Sequence, residues 1–426
     1  MIAELKFNGY KFFKDNSSFS FIPDERTQKL LSNAVEIDNK KVLKSIGLYG
    51  SNNSGKTNII RLFGLIKKVM LGKEISSFNN LIFGDDIVTT VSVQFNNLDG
   101  KGWFEYFFAF DNNEKKYLSE KLESISFYKK GSPFKKIIFE RNFIDKKFVL
   151  FDDIETEILE YVSSKKPLLY SLELDSGRFS SLNEYLNVFT DFANSIEIVK
   201  MYNIEIRNTI EALKNGDQNK KNFILSFVKS SDLSVKDFYY DNNGIQPLNS
   251  NNEINEKALS FFETAEDTFH LRTRYGEKSV LSFFHDSSGT KKIQAIASYV
   301  YDAIAQNKTL IVDEIDNGLH FQLTRAIVSA FNNMANKSGQ LFFTAHDLML
   351  IDCNFLMRKD QIYFTERTEE KSKLYCLKEF PVSEGGPREG AELVRRYKHG
   401  DFGKMPVPNY TKEIIEISKK GDKHND

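Results

Sequence analysis

Apolar and polar residues alternate along the first 23 positions, in "IAELKFNGYKFF" and "SSFSF", which predicts paired β-strands. The apolar run "SIGLYG" at 45–50 predicts a short buried strand. The segment after it, "KTNIIRLFGLIKKVM", puts Ile59, Ile60, Phe63 and Ile66 on one face of a helix. From 88 to 151 the runs "TTVSVQF", "WFEYFFAF", "SISFYK" and "KKIIFER" read as strands, with Asn, Asp and Gly as turn residues between them. From about 180 to 240 the pattern turns helical, in "SLNEYLNVFTDFANSIEIV", "EIRNTIEALK" and "KKNFILSFVKSS". The polar stretch 241–256 reads as a loop or a loose hairpin. Further on, "TLIV" predicts a buried strand. After it, Leu323, Ala326, Ile327, Ala330, Phe331 and Met334 recur at helical spacing. There is no internal repeat and no heptad seam long enough for an extended coiled coil.

The junction between the strand 45–50 and the helix after it carries the first chemistry. "GSNNSGKT" spans Gly50 to Thr57, with two glycines five apart followed by Lys and Thr. Such a loop can wrap phosphate. Backbone N–H groups around Gly50, Asn52, Asn53, Ser54 and Gly55, and those of the helix start through Asn58, point at phosphate oxygens. Lys56 reaches the outer phosphates and Thr57 holds Mg²⁺. The plainer reading is a surface turn capping a helix.

The same chemistry needs acid. It follows in "TLIVDEIDNGLH", where Asp313 and Glu314 end a buried strand, the place where open α/β sheets bind ligands. Asp313 suits the Mg²⁺ shell, and Glu314 suits orienting and deprotonating a water. Against this stands an ordinary exposed pair of acids at a strand end.

Two further pieces, "DSSGTKK" at 286–292 and "LFFTAHD" at 341–347, flank the acidic strand and the helix after it. A lone Ser-Ser-Gly is usually a turn, and a lone His is usually structural. Their order is phosphate loop, serine-glycine turn, acidic strand, Asp-containing loop, histidine. It resembles ABC-type ATPases, in the SMC and recombination-repair branch. By that resemblance Ser287, Ser288 and Gly289 form the signature motif, Asp316 begins the D-loop, and His346 is the switch histidine sensing the γ-phosphate. The implied fold is α/β: an ABC-type head with a mixed sheet, flanking antiparallel strands and an inserted helical subdomain. The expected divisions are 1–175, 176–270 for the insert, and 271–426.

Some positions depart from the pattern. Asp286 stands where transporters usually place Leu, and no Gln follows Gly289. No glutamine is placed as a Q-loop. Gln94 is the one candidate, and a polar residue on a strand is the better reading of it. The stretch between Gly55 and Gly289 is much longer than in a transporter ATPase and lacks the coiled coil of an SMC protein.

Together with the late "YKHGDFGKMP", these motifs look like the compact AAA-family ATPases of bacterial abortive-infection and anti-phage operons. The overcoming-lysogenisation-defect family and the PARIS- and Abi-type subunits are among them. OLD nucleases carry a TOPRIM domain after the ATPase. The stretch after His346 is short and has no DxD, so the resemblance implies a separate effector, such as a nuclease. It also implies a head-to-tail dimer or larger assembly, in which the signature touches the ATP of the opposite subunit. DNA-repair or DNA-end processing is the alternative function, and a transporter ATPase is disfavoured.

Charge and composition set bounds on partners. The chain of 426 residues has a net charge of −1, so it carries no global field for nucleic acid. Any such contact depends on local clusters, at Lys135, Lys136, Arg141, Lys146 and Lys147, at Lys220 and Lys221, or at Arg395, Arg396, Lys398 and His399. Each reads first as a solvated face. Cys353 and Cys376 show no CxxC spacing, which fits a reducing cytoplasm. The first residues lack the apolar run of a signal peptide, and no run is long enough for a membrane span.

Overall fold

The computed structural model describes residues 1–78, 87–97, 102–129, 131–151, 153–154, 156–172, 177–243, 267–380, 391–399 and 410–411. The polar stretch beyond 243 and the "YKHGDFGKMP" motif beyond His399 lie outside them.

A six-stranded sheet forms the centre. Its order is Ile196–Lys200, Thr309–Asp313, Gln340–Ala345, Ser45–Gly50, Ile362–Arg367 and Ser372–Cys376. The first five strands are parallel and the last is antiparallel. The four inner strands are mostly apolar and mostly buried because both faces are covered. On one face Ile46, Leu48, Ile311 and Phe342 pack with the helix Lys56–Met70. On the other, Tyr49, Leu310, Val312, Leu341 and Phe343 pack with Val300 of the helix Ser288–Ala305 and with Ile327 and Phe331 of the helix Phe321–Asn332. The two-residue period of a strand thus divides one run between two cores.

An eight-stranded antiparallel sheet lies beyond the first core. It runs from Asp153–Ile154 through Trp103–Asp111 and Val88–Asn96 to Ile2–Asn8 and Ser17–Ser20. Gln340, at the base of its strand, joins the two sheets. Its side-chain oxygen accepts from Ile2 N at 2.8 Å, and its amide donates to Ile2 O at 2.9 Å and Leu43 O at 3.0 Å. The fold class is therefore the expected one, α/β with a mixed sheet and flanking antiparallel strands.

Several local expectations are corrected. "SIEIV", read as part of a helical stretch, ends the helix Asn183–Ser195 and becomes the strand Ile196–Lys200, paired with the acidic strand. The helix 321–332 buries Thr324, Ile327, Val328 and Phe331, whereas Ala326 is exposed and Met334 stands in solvent past its end. The basic run at 135–147 is no continuous surface. Lys135 pairs with Glu105 and Lys147 with Glu140, and Arg141 is fully buried against Glu120. Lys220 pairs with Asp302. Gln94 sits buried in its strand and accepts from Lys40 Nζ. Among the described residues no helix is long and apolar enough to cross a membrane.

Candidate nucleotide site

Parallel register brings the motifs together. The strands ending at Asp313, Ala345 and Gly50 are adjacent in the sheet, so their carboxyl ends open into one crevice. The acids, His346 and the phosphate loop all emerge there.

The loop enters its helix through Gly55, whose φ of 113° is a conformation that suits glycine. A Cβ at Gly55 would also stand 2.9 Å from the Phe13 ring. No side chain caps this helix start. Asn58 N, expected to face phosphate, instead donates to Gly55 O at 3.0 Å, and Ser54 N to Ser51 O at 3.3 Å; the N–H groups of Lys56 and Thr57 at the helix start are the ones left to meet an anion. Asn53, at φ 63°, receives Arg367 Nη1 on its side-chain oxygen at 3.1 Å. Ser54 Oγ meets Thr365 Oγ1 at 2.7 Å.

Lys56 is buried and arches back over the loop, donating to Gly50 O at 2.7 Å and Ser51 O at 3.0 Å. An ammonium has three donors, so one remains for a phosphate oxygen. Burial pushes Lys56 down to about 8, and the charges of Asp313, Glu314 and Asp316 oppose that shift.

Asp313 is buried; its Oδ1 accepts from Thr344 Oγ1 at 2.7 Å, while Oδ2 is buried and has no partner among the described residues. An anionic oxygen in that position costs stability unless something satisfies it, and a hydrated cation suits it. Among the described residues no group of three or more His, Cys, Asp or Glu could hold a metal by itself. A divalent ion here would rest on Asp313, the Thr57 hydroxyl, phosphate oxygens and water, as is usual for Mg²⁺. The donor set fits that ion.

Glu314 follows in the left-handed region, at φ 55°. A non-glycine residue there stores roughly 1–3 kcal/mol of strain. Two bonds hold it: Glu314 N donates to Thr344 Oγ1 at 2.7 Å, and its Oε2 accepts from Asn317 Nδ2 at 2.9 Å. The reversal turns the Glu314 side chain out of the alternation that buries Asp313.

Asp316 faces back toward the histidine loop. Its Oδ2 accepts from His346 N at 2.8 Å and Asp347 N at 2.6 Å. His346 is solvent-exposed at the mouth. Partial burial and then the Lys56 charge hold its ring below the usual histidine value, against the pull of Asp316, Glu314 and Asp313. Its neutral form can donate or accept toward a phosphate.

The serine-glycine turn starts the helix Ser288–Ala305. Ser287 Oγ caps it, accepting from Thr290 N at 3.1 Å. Ser287 and Ser288 are exposed. A Cβ on Gly289 would lie 3.2 Å from Gly318 O, so the glycine also spares a neighbour within the same chain. Asp286 is buried and accepts from Thr273 Oγ1, Ser282 Oγ and Gln294 Nε2 at 2.6 Å each, and from Tyr275 OH at 2.8 Å. Four donors explain an acid where an apolar residue was the norm, since they offset the cost of burying its charge. This carboxylate ties the turn to the hairpin that precedes it.

Sequence reasoning missed Thr344, Asn317, Lys292, Asp286 as a hub, and Gln294. The one available signal was polarity: Thr344 and Gln294 interrupt runs that are otherwise buried and mostly apolar.

The sequence model of the family described as "AAA domain, putative AbiEii toxin, Type IV TA system" matches residues 45–352. A Helicobacter pylori (strain ATCC 700392 / 26695) protein named "ATP/GTP phosphatase" is 24% identical over 360 residues, 78% of this chain and 85% of that one. Among solved structures, an SMC head bound to the C-terminal winged-helix domain of ScpA gives a TM-score of 0.46 at 12% identity, covering 88% of this chain and 97% of that one. The SMC head domain from Thermotoga maritima gives 0.43 at 12% identity, over 88% of this chain and 98% of that one.

Proposed function

The chain belongs to this AAA-domain family, and we propose that it is an ATPase whose hydrolysis site is the crevice at Gly50–Asn58, Asp313, Glu314 and His346. The observation that carries the reading is the buried, unpartnered Oδ2 of Asp313, beside the Lys56 ammonium and an uncapped helix start. One carboxylate oxygen, one cation and free N–H groups make a cradle for a metal-bound triphosphate. The name of the Helicobacter pylori relative, an ATP/GTP phosphatase, supports it.

ATP lies with its phosphates against the loop N–H groups and Lys56. Thr57 and Asp313 would hold Mg²⁺, which when bound would neutralise charge on the phosphates. Glu314 takes a proton from water as the water oxygen bonds to the γ-phosphorus. The bond from that phosphorus to the β,γ-bridging oxygen breaks, and ADP and phosphate leave. His346 contacts the γ-phosphate from the mouth.

The exposed Ser287 and Ser288, with the half-buried Gly289, complete the site of a second copy, in a head-to-tail dimer that ATP closes and hydrolysis opens. Asp316 fixes the histidine loop in that cycle. We assign the cycle to the regulatory subunit of a two-component anti-phage system in the cytoplasm, where it controls a separate effector such as a nuclease. The toxin–antitoxin description of the family supports that assignment.

The test is Glu314→Gln. Hydrolysis should slow by roughly 10²–10⁴-fold, the worth of a positioned general base, with ATP binding intact. Turnover equal to the parent's would remove Glu314 from the role. For the effector, affinity purification with ATP bound to Glu314→Gln should bring down one stoichiometric partner chain. Purification of the ATPase alone would oppose the two-component reading.

A further inference from the structure

The helix that begins at the serine-glycine turn is joined to Glu314 of the same chain by two side chains. Lys292 Nζ donates to Asn317 Oδ1 at 2.6 Å and to Asn317 O at 2.9 Å. Asn317 Nδ2 then donates to Glu314 Oε2 at 2.9 Å. Asn317 N closes the turn by donating to Glu314 O at 2.9 Å. Next in the chain, Gly318 O is the atom that a Cβ on Gly289 would approach at 3.2 Å.

The chemistry of these groups fixes their orientation. A lysine ammonium only donates, so the Asn317 oxygen must face Lys292. The amide nitrogen must then face Glu314. A carboxylate that accepts one such bond on Oε2 is held in one rotamer and keeps Oε1 for a water. Glu314 needs this support, because its backbone is in the left-handed region and its preceding strand does not dictate its direction.

We infer that Lys292 and Asn317 are positioning residues that aim the Glu314 carboxylate, and that through them the signature turn sets the hydrolytic readiness of its own chain's site. The inference rests on the proposed role of Glu314 as base. A shift of the 288–305 helix, such as engagement of Ser287–Gly289 with a second subunit's nucleotide, moves Lys292 and so reorients Asn317. The two active sites of a dimer are then coupled through one lysine and one amide.

The experiment is a double-mutant cycle on the full chain, read by single-turnover hydrolysis of radiolabelled ATP. Asn317→Ala should lower the rate constant roughly ten- to hundredfold, the scale of a hydrogen bond to a charged group. The ATP dissociation constant should stay within about twofold of the parent's, since Asn317 makes no proposed contact with nucleotide. Lys292→Met should lower the rate less, because Asn317 can still face Glu314, and Lys292→Arg should recover most of the loss. In the Glu314→Gln background both changes should have no further effect, because residues that act through one group are not additive.

Three results would overturn the inference. One is a full rate in Asn317→Ala and Lys292→Met while Glu314→Gln is slow. Another is an equal fold-loss with and without the Glu314 carboxylate, which marks a general structural role. A parent-like rate in Glu314→Gln alone would instead sink the proposed base, and the positioning role with it.

Discussion

The hydroxyl of Thr344 lies 2.7 Å from Oδ1 of Asp313, across the neighbouring parallel strands of the central sheet. Its oxygen also accepts from the backbone N–H of Glu314, so one buried hydroxyl holds the two neighbouring acids together.

Thr344→Val keeps the shape and removes that hydroxyl. The Asp313 carboxylate then loses the one donor it has among the described residues, and the Glu314 N–H loses its acceptor. Stability should fall by about 1–3 kcal/mol, the cost of leaving buried polar groups unpaired. Hydrolysis should fall as well, while Thr344→Ser stays near the parent. Urea unfolding with matched ATPase assays decides this, and a Val variant as stable and active as the parent would refute the alignment role.

The φ of 55° at Glu314 predicts a trade between stability and activity. Glu314→Gly relieves the strain but adds unfolded-state freedom, so a net gain of up to about 1 kcal/mol is expected. Hydrolysis should be lost. Glu314→Ala keeps the strain and should show no such gain. Thermal melts of the two variants side by side check the ordering, and a Gly variant less stable than the Ala variant contradicts it.

Lys56 gives a pH dependence. Its folded value, about 8, lies below the ordinary lysine value. Folding therefore releases protons between those two values: the buried charge costs stability below about pH 8, and that cost declines as pH rises. ATP binding runs the other way, because the protonated lysine is the binding form. Affinity should fall from pH 7 to pH 9 in the parent. In Lys56→Ala it should be lower at pH 7 by roughly tenfold or more, the scale of a charge-assisted contact, and nearly flat above. Calorimetry across that range tests both; equal affinity of parent and variant at pH 7 defeats the phosphate-loop role.

The proposed head-to-tail dimer predicts complementation. Gly289→Asp adds negative charge where the opposite nucleotide's γ-phosphate should lie, and Lys56→Ala empties the loop of its cation. Each alone should be inactive. Mixed, a head-to-tail pair has one composite site with both defects and one with neither, so partial activity should return. A mixture that stays dead despite demonstrated co-assembly rules out the shared site.

The strand, glycine loop and helix at 45–70 and the acidic strand were legible because each is a contiguous string. The strands at 45–50 and 309–313 were legible as apolar runs. What the string concealed depends on tertiary pairing. Asn317 looked like a turn residue, and only its place between Lys292 and Glu314 makes it an orienting group. Asp286 read as a departure from a motif until its four donors came together from the preceding hairpin, the short turn at 282–285 and the following helix. "SIEIV" hid its strand because no Gly or Pro separates it from the amphipathic helix before it, and five residues are too few to establish a period. Met334 fitted the helical spacing but lies past the helix end, where periodicity no longer says which side is buried.

The amide of Gln340 bolts the strand 340–345 to Ile2 and Leu43 at one end, while the other end delivers Thr344 and His346 to the crevice. That strand is a stator. Its base is fixed to a second sheet, so in the proposed cycle nucleotide-driven travel would fall to parts outside it: the loop at 314–319, the turn at 287–289 and the histidine tip. Gln340→Leu would loosen the frame against which those parts push, and the loss would show as ATP hydrolysed without work delivered to whatever rides on the moving side.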